Sequence, residues 1–443
     1  MKKVITYGTY DLLHYGHIKL LERAKKLGDY LIVGVTSDAY DKTRGKINVQ
    51  QSLAERIEAV RSTGLADQII VEEYEGQKID DVKRYGIDIF TVGSDWEGQF
   101  DYLKEYCEVR YLERTKGISS SEIRSKDRQL TMGIVGDSAY YINKFQGEDK
   151  YVNGIEIIGI CTNNIENMND NVKNLPLVTN NYEELLKKVD SVYVKSKVEK
   201  HYEQIKKALN AGKHVLCESA ICENKEKCKE LFELAKKKNL ILMEAIRTAY
   251  STAYSRLLLL AKTGKIGKIL SIDTTCTNMQ NLKDNNNEAS SFKDWGTNAL
   301  LPIFQILGTD YKEYRIISHF DNIEERHDLF TKIDLLYNNA TASIKVAEGA
   351  KSEGELIITG TKGYIYVPSP WWKTDYFEVR YENPNNNERF FYQLDGEGIR
   401  YQLVAFARSV NDEKNINYID ENISLEFCNM INNFNEGNNL KII

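Results

Sequence analysis

The stretch that most constrains the fold lies near the start of the chain, where an apolar run meets two histidines. Residues 4–8 are typical of a buried strand, and a helix is predicted over 18–24, after His14-Tyr15-Gly16-His17. Positions three apart lie on one face of a helix, and the N-terminus of a helix favours negative charge. A lone histidine here is more often a cap or surface residue, but this paired spacing after a strand predicts a phosphate site for nucleotidyl transfer.

Apolar strands alternate with helical patterns through the rest of the first 125 residues. The further predicted strands are 30–35, 68–71, 87–92 and 108–112. This alternation predicts a parallel sheet with helices on both faces, which binds ligands where the strand order reverses. The residues that follow strands and would share that edge are Thr9, Asp38, 93–96 and 114–115.

A second phosphate-binding pattern runs from Arg114 to Arg124. Gly117 permits a tight turn, residues 119–121 are serines that can cap a helix, and their N–H and hydroxyl groups suit a triphosphate. Arg114 offers a bidentate clamp for a phosphate. Alone, this segment describes an ordinary capped helix after a loop. The histidine pair in the same predicted sheet favours the phosphate interpretation.

The bulk composition limits the class of protein. A chain of 443 residues predicts two or three domains, and a net charge of −6 argues against a general nucleic-acid binder. The seven cysteines form no C-x-x-C pair, so we expect them to be reduced. We expect no signal peptide, and the sequence has no apolar run long enough for a membrane span. The expectation is a cytoplasmic protein without nucleic-acid or membrane partners.

Residues 1–125 resemble the glycerol-3-phosphate cytidylyltransferase family, within the cytidylyltransferase superfamily. The resemblance is carried by residues 5–14, 17–24, 93–98 and 114–119. It implies a Rossmann-like nucleotidyltransferase domain that uses CTP and a polyol phosphate. The implied catalytic residues are His14, His17, Lys46 and Arg114. The implied substrate-binding residues are Gly8, Thr9, Asp11, Asp38, Arg56, Asp95, Thr115, Ser119 and Ser120.

The resemblance also implies how the residues divide the work. The two histidines stabilise the transition state at the α-phosphate of CTP, and Lys46 neutralises phosphates. The acceptor's phosphate attacks the α-phosphorus directly, pyrophosphate leaves, and Mg²⁺ bridges the phosphates. A phosphomonoester is already ionised, so no general base is needed. Gly64 replaces a second arginine of the family, with Arg61 nearby. The identity of the acceptor is therefore left open, and glycerol 3-phosphate is the first candidate. ATP in place of CTP is an alternative for the nucleotide.

The second part of the chain repeats a strand–turn–helix pattern at 130–139. Further strands are predicted at 155–161, 191–194, 214–217 and 240–243, which indicates another doubly wound α/β unit. The later strands, 269–275, 342–348, 354–359, 364–367 and 377–381, predict an open antiparallel sheet, followed by helices over 403–410 and 423–434. The predicted domains are 1–125, 126–248 and 249–443.

This second part resembles the Gfo/Idh/MocA family of nicotinamide-dependent oxidoreductases. The resemblance is carried by residues 133–136, 211–218, 264–267 and 360–363. It implies an NAD(P)-binding fold in which Gly133 and Gly136 approach the cofactor. The open sheet of this family often builds oligomers, so we expect a homo-oligomer.

Several positions depart from this family's pattern. Ser138 takes the second glycine position of the dinucleotide fingerprint, where a side chain obstructs the pyrophosphate, and Tyr141 is expected to crowd the helix–strand contact. Asp137 adds a negative charge beside that site, and Thr162-Asn163 stands where the family has its ribose-binding acid. Ser219 takes the place of the lysine that polarises the substrate carbonyl, and Leu301 aligns with the family's histidine or tyrosine on the substrate helix. These changes predict that the domain does not act as a conventional dehydrogenase.

Two further features of this part have competing interpretations. His201 is expected at a surface helix start rather than in a nicotinamide pocket. Trp371-Trp372 is expected as an edge or dimer anchor rather than a substrate platform. Two alternatives stay open for the whole second part. It either reduces a keto-sugar or triose phosphate with NAD(P)H before cytidylylation, or serves as a non-catalytic binding or dimerisation module.

Overall fold

The structure, a computed structural model, divides into two compact units. Unit 1 spans 1–129 and unit 2 spans 130–443. The structure describes residues 1–43, 49, 51–113, 130–152, 154–279, 290–323, 327–392, 394–411 and 417–443. Within these ranges, every helix is too short or too polar to cross a membrane.

Unit 1 alternates strands and helices, as the sequence pattern predicts. Its strands are β1 Lys3–Gly8, β2 Tyr30–Thr36, β3 Gln68–Glu72, β4 Ile89–Gly93 and β5 Glu108–Leu112. Its helices are α1 Tyr15–Lys25, α2 Asp38–Thr43, α3 Leu53–Ser62 and α4 Gln77–Tyr85. Short 3₁₀ turns follow β4 at Ser94–Trp96 and Asp101–Glu105.

The five strands of unit 1 form one wholly parallel sheet, in the order β3-β2-β1-β4-β5. Each face of the sheet buries its own apolar cluster, one containing Leu21, Val33 and Val60 and the other containing Ile5 and Phe90. The strand order reverses between β1 and β4. The crevice at their carboxyl ends is therefore the ligand edge expected of an open α/β sheet.

Unit 2 begins with a second parallel sheet, in the order β11-β10-β9-β6-β7-β8. Its strands are β6 Leu130–Val135, β7 Ile155–Cys161, β8 Leu177–Thr179, β9 Ser191–Val194, β10 His214–Glu218 and β11 Leu242–Ala245. Its helices are α5 Ala139–Phe145, α6 Asp170–Lys173, α7 Tyr182–Lys188, α8 Val198–Asn210 and α9 Lys225–Lys237. The strand order reverses between β6 and β9.

The rest of unit 2 is built on a nine-stranded sheet, in the order β19-β18-β17-β16-β12-β15-β14-β13-β20. Its strands are β12 Ile269–Thr277, β13 Glu313–Asn322, β14 His327–Leu336, β15 Thr341–Ala347, β16 Leu356–Gly360, β17 Tyr364–Val367, β18 Tyr376–Arg380, β19 Glu388–Phe391 and β20 Leu440–Ile442. The helices are α10 Arg247–Tyr250, α11 Thr252–Lys262, α12 Ser291–Leu307, α13 Ile399–Asn411 and α14 Glu421–Glu436.

The prediction of an antiparallel sheet for this part is wrong in one respect, because the sheet is mixed. β12 pairs with β15 in parallel, and β13 pairs with the terminal β20 in parallel. Strands β13 and β14 form a long hairpin that the sequence pattern did not single out. The division of unit 2 at 248/249 stays a prediction.

The seven cysteines are all free thiols. Three of them (Cys222, Cys228 and Cys428) are buried together, with sulfur atoms within 4.8 Å of one another. The expectation that the cysteines are reduced stays a prediction.

Candidate active sites

The turn between β1 and α1 sets the geometry of the phosphate site in unit 1. Tyr10 and Leu12 adopt positive φ angles of 54° and 48°, which reverses the chain within a few residues. The Tyr10 side chain is 1% exposed and fills the space above Gly8, where an added Cβ would lie 3.0 Å from the tyrosine ring. Gly8 therefore has to be small because the buried tyrosine anchors the turn against the strand.

His14 caps α1 and presents its ring at the N-terminus of that helix. Its Nδ1 accepts a hydrogen bond from the Gly16 N–H at 3.1 Å. An accepting Nδ1 carries no proton in the neutral ring, so Nε2 is the nitrogen that donates. Capping thus selects the tautomer that can donate a hydrogen bond to an anion.

The His17 ring stacks on the His14 ring, with ring centroids 3.9 Å apart and an interplanar angle of 23°. The Tyr10 ring meets His17 edge-on at 5.5 Å. Both histidines are half-buried, and α1 has eleven residues, enough for a full helix terminus. The structure therefore brings the two predicted catalytic histidines together at the helix N-terminus beside the β1–β4 crevice.

Arg56 is fully buried, and its guanidinium connects three segments of unit 1. Nη1 donates to the carbonyl oxygens of Thr9 at 2.7 Å and Thr36 at 2.8 Å, and Nε donates to the Gln51 carbonyl at 3.1 Å. Nη2 pairs with the Asp38 carboxylate, while Asp41 lies 3.4 Å from Nη1. These contacts hold the ends of β1 and β2 to α3, so this arginine shapes the phosphate-binding edge from inside.

The predicted residues Thr9 and Asp11 are tied to neighbouring segments of the same edge. The Thr9 hydroxyl donates to Asp41 Oδ1 at 3.0 Å, and the Thr36 hydroxyl donates to Asp41 Oδ2 at 2.8 Å. The Asp11 carboxylate accepts a hydrogen bond of 2.9 Å from the Gln51 N–H. Asp41 is 0% exposed, and sequence reasoning missed it because it lies one helical turn beyond the strand end.

Some of the remaining residues singled out in unit 1 lie within the described ranges, and others lie outside them. Asp95 is exposed on the 3₁₀ turn directly after β4, across the strand reversal from β1. Gly64 has a φ of 66° just beyond the end of α3, and Arg61 is exposed and pairs with Glu58. The predicted residues that lie outside the described residues are Lys46, Arg114, Thr115, Ser119 and Ser120.

Unit 2 contains a cavity of about 510 Å³ at the carboxyl ends of β6, β9, β10 and β11. It lies at the strand reversal between β6 and β9, the place where open α/β sheets bind ligands. Helix α12 contributes part of the wall through Lys293, Asp294, Trp295 and Asn298. Leu301, aligned by the sequence with the family's substrate residue, is buried and is not among the lining residues.

A lysine and an acid face each other in this cavity. Lys195 Nζ lies 3.0 Å from Glu218 Oε2, and the Lys195 ammonium sits 4.2 Å from the centre of the Tyr141 ring. The Glu218 carboxylate also accepts a hydrogen bond from the buried Tyr193 hydroxyl. Burial raises the pKa of Glu218, but Lys195 and Tyr193 lower it by more. The sequence comparison found a lysine missing at 219, yet Lys195, directly after β9, places an ammonium in the same cavity.

Asp294 adds a group that titrates near neutral pH. Burial raises the pKa of its carboxyl to about 6, against the attraction of Lys195. Trp295 and Trp372 pack edge to face at 5.1 Å on the cavity wall. The cavity therefore combines a cation, a proton-exchanging acid and an aromatic surface, the residue types from which binding and catalytic sites are built.

The residues of the fingerprint turn determine whether a dinucleotide fits. Gly136 has a φ of 156°, and an added Cβ would lie 2.3 Å from the Lys195 carbonyl oxygen, so this position must be glycine. The Asp137 carboxylate accepts hydrogen bonds from the Asn163 N–H at 2.8 Å and the Thr162 hydroxyl at 3.1 Å. Asp137, directly after Gly136, therefore lies against the end of β7, where Thr162-Asn163 stands in place of the family's ribose-binding acid.

The prediction that Tyr141 crowds the helix–strand contact is wrong. Tyr141 is 41% exposed and lines the cavity, whereas Ile142 and Phe145 are the residues of α5 that pack inward. Gly133 packs against Leu185, where an added Cβ would lie 2.8 Å from the leucine. The residues present thus fit a dinucleotide at Gly136, while Ser138 at the pyrophosphate and Thr162-Asn163 at the ribose end remain departures.

Two other expectations for unit 2 need correction. His201 is 2% exposed rather than superficial, and its ring nitrogens contact the carbonyl oxygens of Ala220 at 2.8 Å and Ser196 at 2.9 Å. Trp371 is a core residue whose Nε1 donates to the Thr275 carbonyl at 3.1 Å, and only Trp372 lines the cavity. Both outcomes depend on packing between elements distant in sequence.

Comparison with known proteins identifies both units. The Cytidylyltransferase-like family profile matches residues 5–126, and the profile of the oxidoreductase family with an NAD-binding Rossmann fold, Gfo/Idh/MocA, matches residues 130–246. Residues of unit 1 are 52% identical over 124 residues to glycerol-3-phosphate cytidylyltransferase of Bacillus spizizenii, covering 28% of this chain and 95% of the relative. The enzyme of the same name from Staphylococcus aureus is 49% identical, again over 28% of this chain and 95% of the relative.

Solved structures resemble the second part of the chain. A 3-ketoreductase from Actinomadura kijaniata, in complex with NADP and TDP-benzene, superposes with a TM-score of 0.63 at 17% identity, over 71% of this chain and 99% of that one. A UDP-N-acetylglucosamine 3-dehydrogenase from Acidithiobacillus ferrooxidans gives a TM-score of 0.58 at 13% identity, over 68% and 95%. At these identities the likeness establishes the fold of unit 2 only.

Proposed function

We propose that this chain transfers CMP from CTP to sn-glycerol 3-phosphate. The chain belongs to the cytidylyltransferase-like family through residues 5–126, and a Gfo/Idh/MocA oxidoreductase domain follows them. The products are pyrophosphate and CDP-glycerol, a precursor for surface-polymer synthesis. The observation that carries the proposal is the His14–His17 stack at the N-terminus of α1. The names of relatives about half identical to unit 1 support the choice of acceptor.

The two histidines act on the α-phosphate of CTP. The Nε2–H of His14 donates to a non-bridging oxygen, since Nδ1 already accepts from Gly16. His17 stacks behind it, and the N-terminus of α1 adds its dipole to the same anion. Negative charge spreads over the phosphate oxygens in the transition state, so preorganised donors at this point stabilise it more than the ground state.

The acceptor's own phosphate oxygen attacks the α-phosphorus, and pyrophosphate departs on the opposite side. A phosphomonoester carries most of its second charge at pH 7, so the attacking oxygen needs no protein base. Mg²⁺ fits as an ion carried by the triphosphate. The carboxylates of Asp11, Asp38 and Asp41 already accept hydrogen bonds or pair with protein groups, and Mg²⁺ commonly keeps phosphate and water ligands.

Pyrophosphate release by the full-length protein tests this proposal. CTP, Mg²⁺ and glycerol 3-phosphate are supplied, with and without NADPH, and ATP replaces CTP in a parallel reaction. We expect release with CTP that does not depend on NADPH. The variant His17→Ala should lose about 10²- to 10³-fold in rate with unchanged thermal unfolding. His319→Ala, an exposed histidine on β13, is the matched control. Normal turnover by His17→Ala would refute the site.

The charged cavity of unit 2 favours a second candidate function, reduction of a keto-phosphate to the polyol phosphate that unit 1 activates. NAD(P)H, when bound, would supply the hydride. Lys195 presents its positive charge to the carbonyl oxygen, and Asp294 exchanges a proton near neutral pH. The expectation that unit 2 is not a conventional dehydrogenase stays a prediction alongside this candidate.

NADPH oxidation with dihydroxyacetone phosphate separates these possibilities. Under the second candidate function, the wild-type protein oxidises NADPH and Lys195→Met does not, while both release pyrophosphate equally from CTP and glycerol 3-phosphate. Lys265→Met is the control, since Lys265 forms an ion pair of 2.7 Å with Glu388 on the nine-stranded sheet. If the wild-type protein neither oxidises nor binds NADPH, unit 2 is a binding or dimerisation module.

A further inference from the structure

We propose that unit 2 contains a docking point for a phosphate group, built from Lys144, Arg247 and Lys373, in which the carboxylate of Glu397 takes the place of the ligand. The proposal deepens the second candidate function, because the phosphate would belong to the molecule bound in the cavity. It does not depend on CMP transfer in unit 1, so either can fail alone.

Three cations converge on a single oxygen atom. Oε2 of Glu397 contacts Lys144 Nζ, lies 2.9 Å from Lys373 Nζ and lies 3.4 Å from Arg247 Nη1. One carboxylate balances only one of these three charges, so the cluster keeps an excess of two positive charges. A phosphate group carries close to two negative charges at pH 7 and offers three acceptor oxygens, which matches both the charge and the number of donors.

The cations come from three separate elements. Lys144 lies in the last turn of α5, Arg247 begins α10 directly after β11, and Lys373 ends the 3₁₀ turn Trp371–Lys373. Lys144 and Arg247 line the cavity, as does Trp372 beside Lys373. Ion pairs of a solvated helix surface join residues three or four apart, whereas this cluster is assembled by the tertiary fold at the cavity wall.

Glu397 is held over these cations by the backbone. It has a φ of 51° between Gly396 at 55° and Gly398 at 86°. An added Cβ at Gly398 would lie 3.2 Å from the Arg247 carbonyl oxygen, so the loop packs directly on Arg247. Burial raises the pKa of Glu397, but hydrogen bonds from Lys144 and Lys373 lower it to about 2. The carboxylate is thus ionised and acts as an anion already seated on the cluster.

The neighbouring charges do not cancel the excess. Arg400 Nε pairs with Glu148 Oε2 at 2.6 Å, and Glu218 pairs with Lys195, although Arg247 of the cluster also helps to lower the pKa of Glu218. The other acids that line the cavity are Asp137, Glu199 and Asp294, of which Glu199 pairs with Lys293. A ligand phosphate binds to the three cations by displacing the Glu397 side chain, which is about one-third exposed.

The position of the cluster favours the phosphate of a small substrate over that of a dinucleotide. Arg247 follows β11, which is separated from β6 by β9 and β10. Asp137, in the fingerprint turn after β6, accepts a hydrogen bond from the end of β7, on the side of β6 away from β9. The phosphate of a small substrate and that of a dinucleotide offer the same chemistry to the cluster. The experiment therefore includes a probe of each kind.

Tryptophan fluorescence reports on unit 2 in the full-length protein once Trp96 is changed to Phe. The remaining tryptophans, Trp295, Trp371 and Trp372, all belong to unit 2, and two of them line the cavity. The Trp96→Phe protein is titrated with inorganic phosphate, dihydroxyacetone phosphate, dihydroxyacetone and NADP⁺. Because Trp96 is the tryptophan of unit 1 and has been replaced, phosphate bound by unit 1 does not contribute to the signal.

Two variants with opposite expected effects are added to the Trp96→Phe protein. Glu397→Gln frees the cations and should tighten binding of the phosphorylated probes about tenfold, whereas Lys144→Gln should weaken it about tenfold. Lys265→Gln, which breaks a comparable ion pair elsewhere, should change neither. Dihydroxyacetone, which carries no phosphate, should bind to every protein more weakly than dihydroxyacetone phosphate does. Its affinity should not change with Glu397→Gln.

The pattern across the probes decides the outcome. If both variants change the affinity for dihydroxyacetone phosphate as expected, the docking point is supported and belongs to the substrate. If they change only the affinity for NADP⁺, the docking point is supported and belongs to the dinucleotide. Binding of the phosphorylated probes that ignores both changes, or absence of any binding by them, overturns it. If Glu397→Gln fails to fold, Lys144→Gln alone decides.

Discussion

Nη1 of Arg56 donates a hydrogen bond of 2.7 Å to the carbonyl oxygen of Thr9, which ties α3 to the residue that follows β1. The same nitrogen reaches the Thr36 carbonyl, at the end of β2. Two strand ends of the parallel sheet are thus joined through one buried side chain. The predicted contact between Arg56 and substrate phosphates stays a prediction, and we infer that the residue also positions this edge.

Changing Arg56 to Lys should lower the free energy of unfolding by about 2–3 kcal/mol, because a lysine cannot replace the forked donors to Thr9, Thr36 and Gln51. Denaturant titration measures this effect. Arg61→Lys, at an exposed arginine paired with Glu58, is the control and should stay within about 0.5 kcal/mol. Unchanged stability with a raised KM for CTP would instead show direct substrate contact.

His14 has two separable roles, which two substitutions distinguish. Asparagine is a good N-cap, so His14→Asn should keep α1 stable, whereas His14→Ala should cost about 1 kcal/mol of stability. Both should reduce CMP transfer about 10²- to 10³-fold, since neither supplies the imidazole. Thermal unfolding and pyrophosphate release measure the two roles. Full activity in His14→Asn would reduce this histidine to a cap.

Glu244 should make unit 2 less stable as the pH rises. Burial raises the pKa of its carboxyl from 4.5 to about 7, against hydrogen bonds from Ser219 and Ser424. Because the folded-state pKa is the higher one, the stabilisation is complete below pH 4.5 and is lost as the pH rises towards 7. The loss is on the order of 3 kcal/mol. Glu244→Gln, compared with wild type by denaturant titration across this range, should lack this slope, and parallel curves would contradict the assignment.

A chain ending at Gln129 should retain CMP transfer with glycerol 3-phosphate. Unit 1 is compact and has its own apolar cluster on each face of its sheet. The single-unit length of its relatives points the same way, because this chain covers 95% of them. Pyrophosphate release by the truncated and full-length chains is compared at equal concentration. Loss of activity in a folded truncated chain would mean that unit 2 completes the site.

The parallel sheet of unit 1 and the doubly wound sheet of unit 2 were both predictable. Their strands are short apolar runs separated by helical patterns, and parallel pairing follows from that alternation. The histidine pair was predictable as well, since its spacing, its glycine and the preceding strand are all local. The parallel pairing of β12 with β15 was not, because the two strands are separated in sequence by α12, β13 and β14.

The chemistry of unit 2 shows where local pattern stops being informative. The sequence alone indicated losses at Ser138 and Ser219. It did not indicate that Lys195 would face Glu218, or that Lys144, Arg247 and Lys373 would meet at Glu397.

By itself, the sequence determined the α/β class, the order of the elements and the histidine pair at the α1 N-terminus, because periodicity and caps act over a few residues. The tertiary structure decided which charged groups share a cavity, that His201 is buried and that Tyr141 faces a cavity. These outcomes depend on packing between elements far apart in sequence, such as Arg400 with Glu148, separated by 252 residues. Contacts over such distances are set by burial and pairing in three dimensions, which no local pattern encodes.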